Sequence, residues 1–269
     1  GLTILHEVMK QRPGTYLYLS DNARAPYGSR SQAEILEFTT QGVKWLIDHD
    51  CSLVIIACNT SSANALRTIQ ETWLPTYAPN ARVLGIIVPT VESITGIAWS
   101  EERTHTAAPS ILIFATPSTV SSGSYEREIR KRLPNAKVVA QACPDLVPLI
   151  ESGAPQDLLL EKIKEYITQG KAKIAGDPEV VLLGCTHYAL VEGLFSGCLP
   201  KRIQVLSQPN IVTQALLKYL QLHPEHAQPK SQMTTVECFT TAEPNQVTSL
   251  SRRFFRSTLS YRRAMLGNA

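Results

Sequence analysis

Ile55-Ile56-Ala57-Cys58-Asn59-Thr60 and Leu182-Leu183-Gly184-Cys185-Thr186-His187 share one layout. Each is a β-branched or leucine-rich run, a small residue, a cysteine, and then hydrogen-bonding residues that lead into a helical pattern. The run is too short and too continuously apolar for a half-buried strand, so it reads as a parallel strand covered on both faces. The echo predicts two related βα units facing each other across a cleft.

The rest of the chain fits that reading. Thr15–Leu19, Ser52–Ala57, Val83–Val88, Ile111–Phe114, Val138–Gln141, Val180–Leu183 and Ile203–Leu206 read as strands. Helical patterns lie between most of them: one opened by a capping box at Ser31 and Glu34 and running to about Asp48, then Ser61–Thr72, Thr119–Leu133, Gln156–Gln169 and Ile211–Leu222. Alternating strands and helices predict an α/β fold of two doubly wound, flavodoxin-like, pseudo-symmetric parallel-sheet lobes with the active site between them. The expected lobes are 1–88 with 206–269, and 89–205. Pro89 and the Ser100–Pro109 loop, with a solvated His105, are the expected breaks. The arginines at 252, 253, 256, 262 and 263 are expected on one C-terminal helix, Ser251–Met265, that buries Phe254, Phe255 and Leu259.

Composition narrows the function classes. At 269 residues and 43% apolar content the chain can build a real core, and 18% charged residues exclude global disorder. A net charge of +3 gives no reason to expect a nucleic-acid partner. No apolar run is long enough to span a membrane. Six cysteines are too sparse for a disulfide-stapled scaffold, and no secretory signal opens the chain, so a reducing cytoplasmic compartment is expected.

A cysteine at the carboxyl end of a parallel strand sits where ligands bind in open α/β sheets. Free N–H groups and the positive end of the next helix should lower its pKa and offer a carboxylate site. Cys58 and Cys185 both have this placement; Cys51, Cys143, Cys198 and Cys238 lack it. His187 could tune the second thiol. A metal is not expected, because no second ligand pair lies near Cys185-Thr186-His187.

The set Ser20-Asp21-Asn22-Ala23-Arg24-Ala25-Pro26-Tyr27-Gly28, Ala57-Cys58-Asn59-Thr60 and Gly184-Cys185-Thr186-His187-Tyr188 resembles the bacterial glutamate racemases. Ala115-Thr116-Pro117-Ser118-Thr119, Ser122-Gly123-Ser124-Tyr125, Gln141-Ala142-Cys143-Pro144 and Thr240-Thr241 support it in the same order along essentially the whole chain. The resemblance implies a cofactor-independent racemase interconverting L- and D-glutamate for peptidoglycan synthesis. It implies catalytic thiols Cys58 and Cys185, with Cys58 deprotonating the D-enantiomer and Cys185 the L-enantiomer. It also implies auxiliary acid–base groups Asp21, Glu151 and His187, and substrate-holding residues Tyr27, Gly28, Asn59, Thr60, Thr186 and His187. The expected partner is a small molecule, glutamate; the sequence leaves oligomeric state open, a homodimer included.

Three departures from the family pattern qualify this. Gly1-Leu2-Thr3 matches the tail of the family's Asp-Ser-Gly motif, and the strand and Asp-Ser pair before it are not in the sequence. That predicts open sheet edges and weak activity of the isolated chain. Ala189 stands where the family commonly has proline, and Ser207-Gln208-Pro209 where it often has an Asp-Ser segment. The alternatives are an aspartate racemase, a single-cysteine isomerase or decarboxylase, and a non-catalytic racemase-like binding protein.

Overall fold

The computed structural model describes residues 1–98, 108–228, 232–255 and 259–267. Most of the expected Ser100–Pro109 loop, with His105, and Arg256 lie outside the described residues.

Strands β4 (Ser110–Ala115), β5 (Lys137–Ala142), β6 (Val180–Leu183) and β7 (Gln204–Leu206) form one sheet in the order β5-β4-β6-β7. Every pairing in it is parallel. Its two faces carry separate cores. Leu112, Phe114, Val181 and Leu183 face one way, against Ile163, Ile167 and Ile174 of α10 (Gln156–Ile174). Ile111, Ile113, Ala115 and Leu182 face the other, against Tyr125 and Ile129 of α8 (Ser124–Arg132). Burial on both faces is why β4 reads as an unbroken apolar run. The chain leaves β4 towards β5 on one side, while β6 lies on the other, so the carboxyl end of β4 is the topological switch point where this architecture binds ligands.

The remaining strands form two smaller sheets. β1 (Thr15–Ser20), β8 (Thr235–Thr240) and β9 (Tyr261–Arg263) pair in the order β1-β8-β9, and β2 (Leu53–Ile56) pairs with β3 (Arg82–Gly85), again all parallel. β1 and β2 do not pair with each other. Leu17 and Leu19 of β1 and Leu53 and Ile55 of β2 line one cavity of about 820 Å³. Helix α1 (Leu2–Gln11) adds Ile4 and Val8 to its lining, and α2 (Gln32–Ile47) adds Val43 and Leu46.

Local chemistry sets several boundaries as expected. α2 starts at a complete capping box: the Glu34 N–H donates to Ser31 Oγ, and the Ser31 N–H donates back to Glu34 Oε2 at 3.0 Å. Other expectations need correction. Ser61–Thr72 is not one helix. The helical path starts earlier, as α3 (Asn59–Asn64), breaks at Ala65, and continues as α4 (Leu66–Thr68), a π turn over Ile69–Trp73 and α5 (Leu74–Tyr77). Pro89 is not a break but the third residue of α6 (Ile87–Thr95), where its missing N–H costs nothing because no intrahelical partner exists there. The expected strand Val83–Val88 therefore stops at Gly85. Thr119–Leu133 is split by Gly123, at φ +60°, into α7 (Pro117–Ser122) and α8. α9 (Leu146–Ser152), α11 (Glu192–Cys198) and α12 (Gln208–Leu222) complete the middle of the chain.

The C-terminal expectation fails most. Instead of a basic helix over Ser251–Met265, helix α13 (Pro244–Phe254) ends early, and Arg262 and Arg263 lie on strand β9. Their charges are paired locally: Arg262 with Glu237, Arg263 with Glu243 at 3.8 Å, and the Arg262 guanidinium stacks over the Phe239 ring. Phe255 and Leu259 are buried, as expected.

Phe114 sits at the centre of this scaffold, fully buried, with its ring 5.1 Å from Phe195 of α11. Phe114→Ala should cost about 3–5 kcal/mol, a large fraction of the ~5–15 kcal/mol typical of a domain. Urea denaturation of parent and variant checks this; a loss under ~1 kcal/mol would mean the site can collapse around the gap.

Candidate active site

All ten residues singled out from the sequence line the one cavity: Asp21, Tyr27, Gly28, Cys58, Asn59, Thr60, Glu151, Cys185, Thr186 and His187. β2 delivers Cys58, which is the N-cap of α3 with extended backbone, φ −136° and ψ 125°. Its carbonyl accepts from the Ser62 N–H at 2.9 Å. The first N–H groups of α3 have no intrahelical acceptor and open towards the cavity side.

β6 delivers Cys185, but not onto a second α-helix as the sequence echo suggests. A turn follows, closed by the Tyr188 N–H donating to the Cys185 carbonyl at 3.0 Å, then a short 3-10 helix over Tyr188–Val191 and then α11. The backbone N–H groups of His187 and Tyr188 act on the Cys185 sulfur in the direction that favours its thiolate. They take the place of the expected helix terminus.

The expectation of a lowered thiol pKa is overturned for Cys185. Burial pushes it up to about 12, outweighing those two backbone N–H groups. Only 7% of the residue is exposed, so water cannot solvate a thiolate there. Cys58 stands near enough that a negative charge on it raises Cys185 further. Cys58 itself is only partly buried.

A relay backs Cys185. His187 Nδ1 lies 3.9 Å from its sulfur, and His187 Nε2 lies 2.9 Å from Glu151 Oε1. Glu151 comes from α9, after β5. Its carboxyl is held below the usual range by the His187 hydrogen bond, despite partial burial.

Asp21 lines the cavity with a fully occupied carboxylate. Oδ2 accepts from the Tyr27 hydroxyl and from Arg24 Nε at 2.7 Å, and Oδ1 accepts from Thr241 Oγ1 at 2.6 Å. Burial and that bond raise the Tyr27 pKa well above its ordinary value. Gly28 follows, packed so tightly on Thr116 that a Cβ would fall 2.7 Å from the threonine Cβ. Thr116 in turn joins Thr60 and Thr119 in a buried hydroxyl cluster, with Oγ1–Oγ1 distances of 2.9 Å (Thr60–Thr116) and 3.0 Å (Thr116–Thr119). Thr186 accepts Thr3 Oγ1 on its carbonyl at 3.1 Å, which docks the start of α1 against the site.

Sequence reasoning did not assign Thr116 or Thr241 to the site. The available signal for Thr116 was its position: a threonine at the end of β4, before Pro117, is a helix N-cap at the switch point, and its Oγ1 does accept from the Thr119 N–H.

Three comparisons bear on this arrangement. A glutamate racemase from Phenylobacterium zucineum is 38% identical, over 97% of this chain and 95% of that protein. One from a Caulobacter strain is 40% identical over 84% and 83%. Among solved structures, glutamate racemase from Francisella tularensis, in complex with D-glutamate, superposes with a TM-score of 0.83 at 26% identity, covering 98% of this chain and 93% of that one. The Bacillus anthracis glutamate racemase, at 24% identity and a TM-score of 0.84, shares the fold. The Asp/Glu/Hydantoin racemase family pattern matches residues 3–216, a span that holds both cysteine strands and the whole lining from Asp21 to His187. With two cysteines at parallel strand ends on one cavity and that match across most of its length, the chain belongs to the Asp/Glu/Hydantoin racemase family.

Proposed function

We propose that the protein interconverts L- and D-glutamate by two-thiol proton transfer at Cα, in the cytoplasm, supplying D-glutamate for peptidoglycan. The observation that carries the reading is that Cys58 and Cys185, from different sheets, line one cavity together with hydrogen-bonding side chains. The relatives named glutamate racemase, at near-full coverage of both chains, favour glutamate over aspartate.

The chemistry follows from the geometry. Racemisation takes a proton from one face of Cα and returns one to the other, so a fixed substrate needs an acid and a base on opposite walls. The two cysteines divide these roles: a thiolate on one wall abstracts, while a thiol on the other delivers. After turnover the protonation states are exchanged. Burial keeps Cys185 a thiol before substrate arrives, so abstraction from that state falls to Cys58; that this acts on the D-enantiomer is what the family resemblance implies. In the reverse direction Cys185 must ionise transiently. The His187 and Tyr188 N–H groups and the His187–Glu151 pair are the fixed dipoles and charges that lower the cost of doing so. Backbone N–H groups at the start of α3 would hold the substrate carboxylate and spread the carbanion charge. Asp21 is occupied by Arg24, Tyr27 and Thr241, so in this scheme it acts by holding Tyr27 in place. The sheets that carry the two cysteine strands, β2–β3 and β5-β4-β6-β7, would supply the two walls; the expected lobe limits at 88/89 and 205/206 fall inside α6 and β7.

The direct test is proton NMR of either glutamate enantiomer in deuterated water. The parent protein should exchange the Cα proton, while Cys58→Ser and Cys185→Ser should each lower racemisation by at least ~10²-fold, the lower bound for losing a positioned acid or base. Either variant keeping full activity would leave the two-thiol reading without support.

A second test uses pH. In substrate-free protein, alkylation of Cys185 by iodoacetamide, followed by peptide mass spectrometry, should still be accelerating above about pH 10.5. An ordinary thiol is half ionised at ~8.5 and levels off by about pH 10, whereas a raised pKa shifts the rise in thiolate to higher pH. A plateau by about pH 10 would show that burial does not control this sulfur.

A further inference from the structure

The Asn59 side chain is not free to reach a ligand. Its Nδ2 donates to Gln208 Oε1 at 2.6 Å, and Gln208 Nε2 donates back to Asn59 Oδ1 at 3.1 Å. The two amides therefore form a reciprocal pair between residues 149 positions apart. The Tyr125 hydroxyl donates to the same Asn59 Oδ1 at 2.6 Å, and Gln208 Nε2 also lies 2.9 Å from that hydroxyl and 3.0 Å from Thr90 Oγ1. Thr90 Oγ1 passes the chain on to the Ile86 carbonyl at 2.6 Å. Asn59, Gln208, Tyr125 and Thr90 are each at most 2% exposed.

Four elements meet at this point: α3, which begins directly after Cys58; α12; α6; and α8, packed on the β4 sheet that also carries β6 and Cys185. Tyr125 also packs beside Gly184, the residue before Cys185, where a Cβ would lie 3.4 Å from the tyrosine ring. The network thus touches the chain immediately next to both cysteines. Hydrogen bonds buried in a low-dielectric interior are strongly directional and costly to leave unmade.

We propose that Gln208 is a positioning residue for the racemisation: it locks the Asn59 amide, and through it the first turn of α3, so that the Cys58 sulfur is held in register with the Cα that Cys185 addresses from the other wall. Asn59 then serves the substrate through its main chain, and its side chain serves the scaffold. This rests on the glutamate racemase reading.

The test variant is Gln208→Met, which keeps the length and removes both hydrogen-bonding ends. Misplacement of a reacting group by about 1 Å costs on the order of 10²-fold, so kcat should fall roughly tenfold to a hundredfold, with KM rising by a smaller factor because the α3 N–H groups that hold the carboxylate belong to the same turn. Isotope effects separate positioning from mere structural damage. With 2-deuterated D-glutamate the primary effect should rise, because abstraction by Cys58 becomes the slow step; with 2-deuterated L-glutamate it should not. Tyr125→Phe, which keeps the ring and loses only the donor to Asn59, should show the same pattern at smaller size, and it carries the test if Gln208→Met does not fold. The double variant should be less impaired than the product of the two single losses, since both act through Asn59. Unchanged kcat in a folded variant, or isotope effects rising together for both enantiomers, would overturn the proposal alone. A parent protein with no Cα exchange on glutamate would overturn the racemase reading, and this proposal with it.

Discussion

Two parallel strands, β2 and β6, end against the same cavity, and each brings a cysteine to its lining. The constraint is stereochemical. A single base on one wall cannot readily serve both faces of a fixed Cα, so the fold has to present two acid–base groups from different directions. Parallel sheets are suited to this, because every strand in them ends on the same edge and that edge is where loops and free backbone donors collect. One cysteine comes from the β2–β3 sheet and the other from the β5-β4-β6-β7 sheet. Their meeting at one cavity is then a property of how the sheets are docked and not of either loop.

The two sulfurs are not equivalent, although their sequence contexts look alike. Cys58 caps a helix and is partly exposed, whereas Cys185 is enclosed by β6, Cys143 and Tyr188 in a core that excludes water. Burial there outweighs two backbone donors and holds the sulfur as a thiol. A dry thiol keeps its proton at rest, which makes it a weaker acid than an ordinary thiol but leaves that proton in place for delivery. The His187–Glu151 pair stands beside it, with His187 Nδ1 3.9 Å from the sulfur. Asymmetry at rest is compatible with an equilibrium constant of unity for racemisation, because the protein tunes only the barriers and the resting protonation state.

How much of this was legible follows the range of the interactions. Local signals read correctly: the Ser31–Glu34 capping box fixes the start of α2, and the unbroken Ile111–Phe114 run gives a strand buried on both faces. Signals weakened by context read badly. Thr235–Thr240 mixes Thr235, Glu237 and Thr240 with Val236, Cys238 and Phe239 and is not among the expected strands; its pairing with β1 on one side and β9 on the other makes it a strand. Tyr261–Arg263 became part of an expected basic helix because arginines look solvated, yet Glu237, Glu243 and Phe239 take up their charge on the sheet. Pro89 misled for the opposite reason: a helix breaker is harmless within the first turn. For the site, the ordered motifs named the residues that line the cavity, but not their partners. Nothing in spacing ties Asn59 to Gln208 or Asp21 to Thr241, since such pairs exist only once distant elements have docked.

The polar character of that docking has a physical consequence. Apolar contact is non-directional and tolerates small slides at little cost. The contacts that hold α3 against α7, α8 and α12 are instead hydroxyls and amides: the Thr60–Thr116–Thr119 cluster, Ser124 on the Ala63 carbonyl at 3.1 Å, Asn64 on Ser118 at 3.2 Å, and the Asn59–Gln208 pair. Each buried group left unsatisfied by a shift costs ~1–3 kcal/mol, so sliding α3 by a fraction of a bond length would strain several at once.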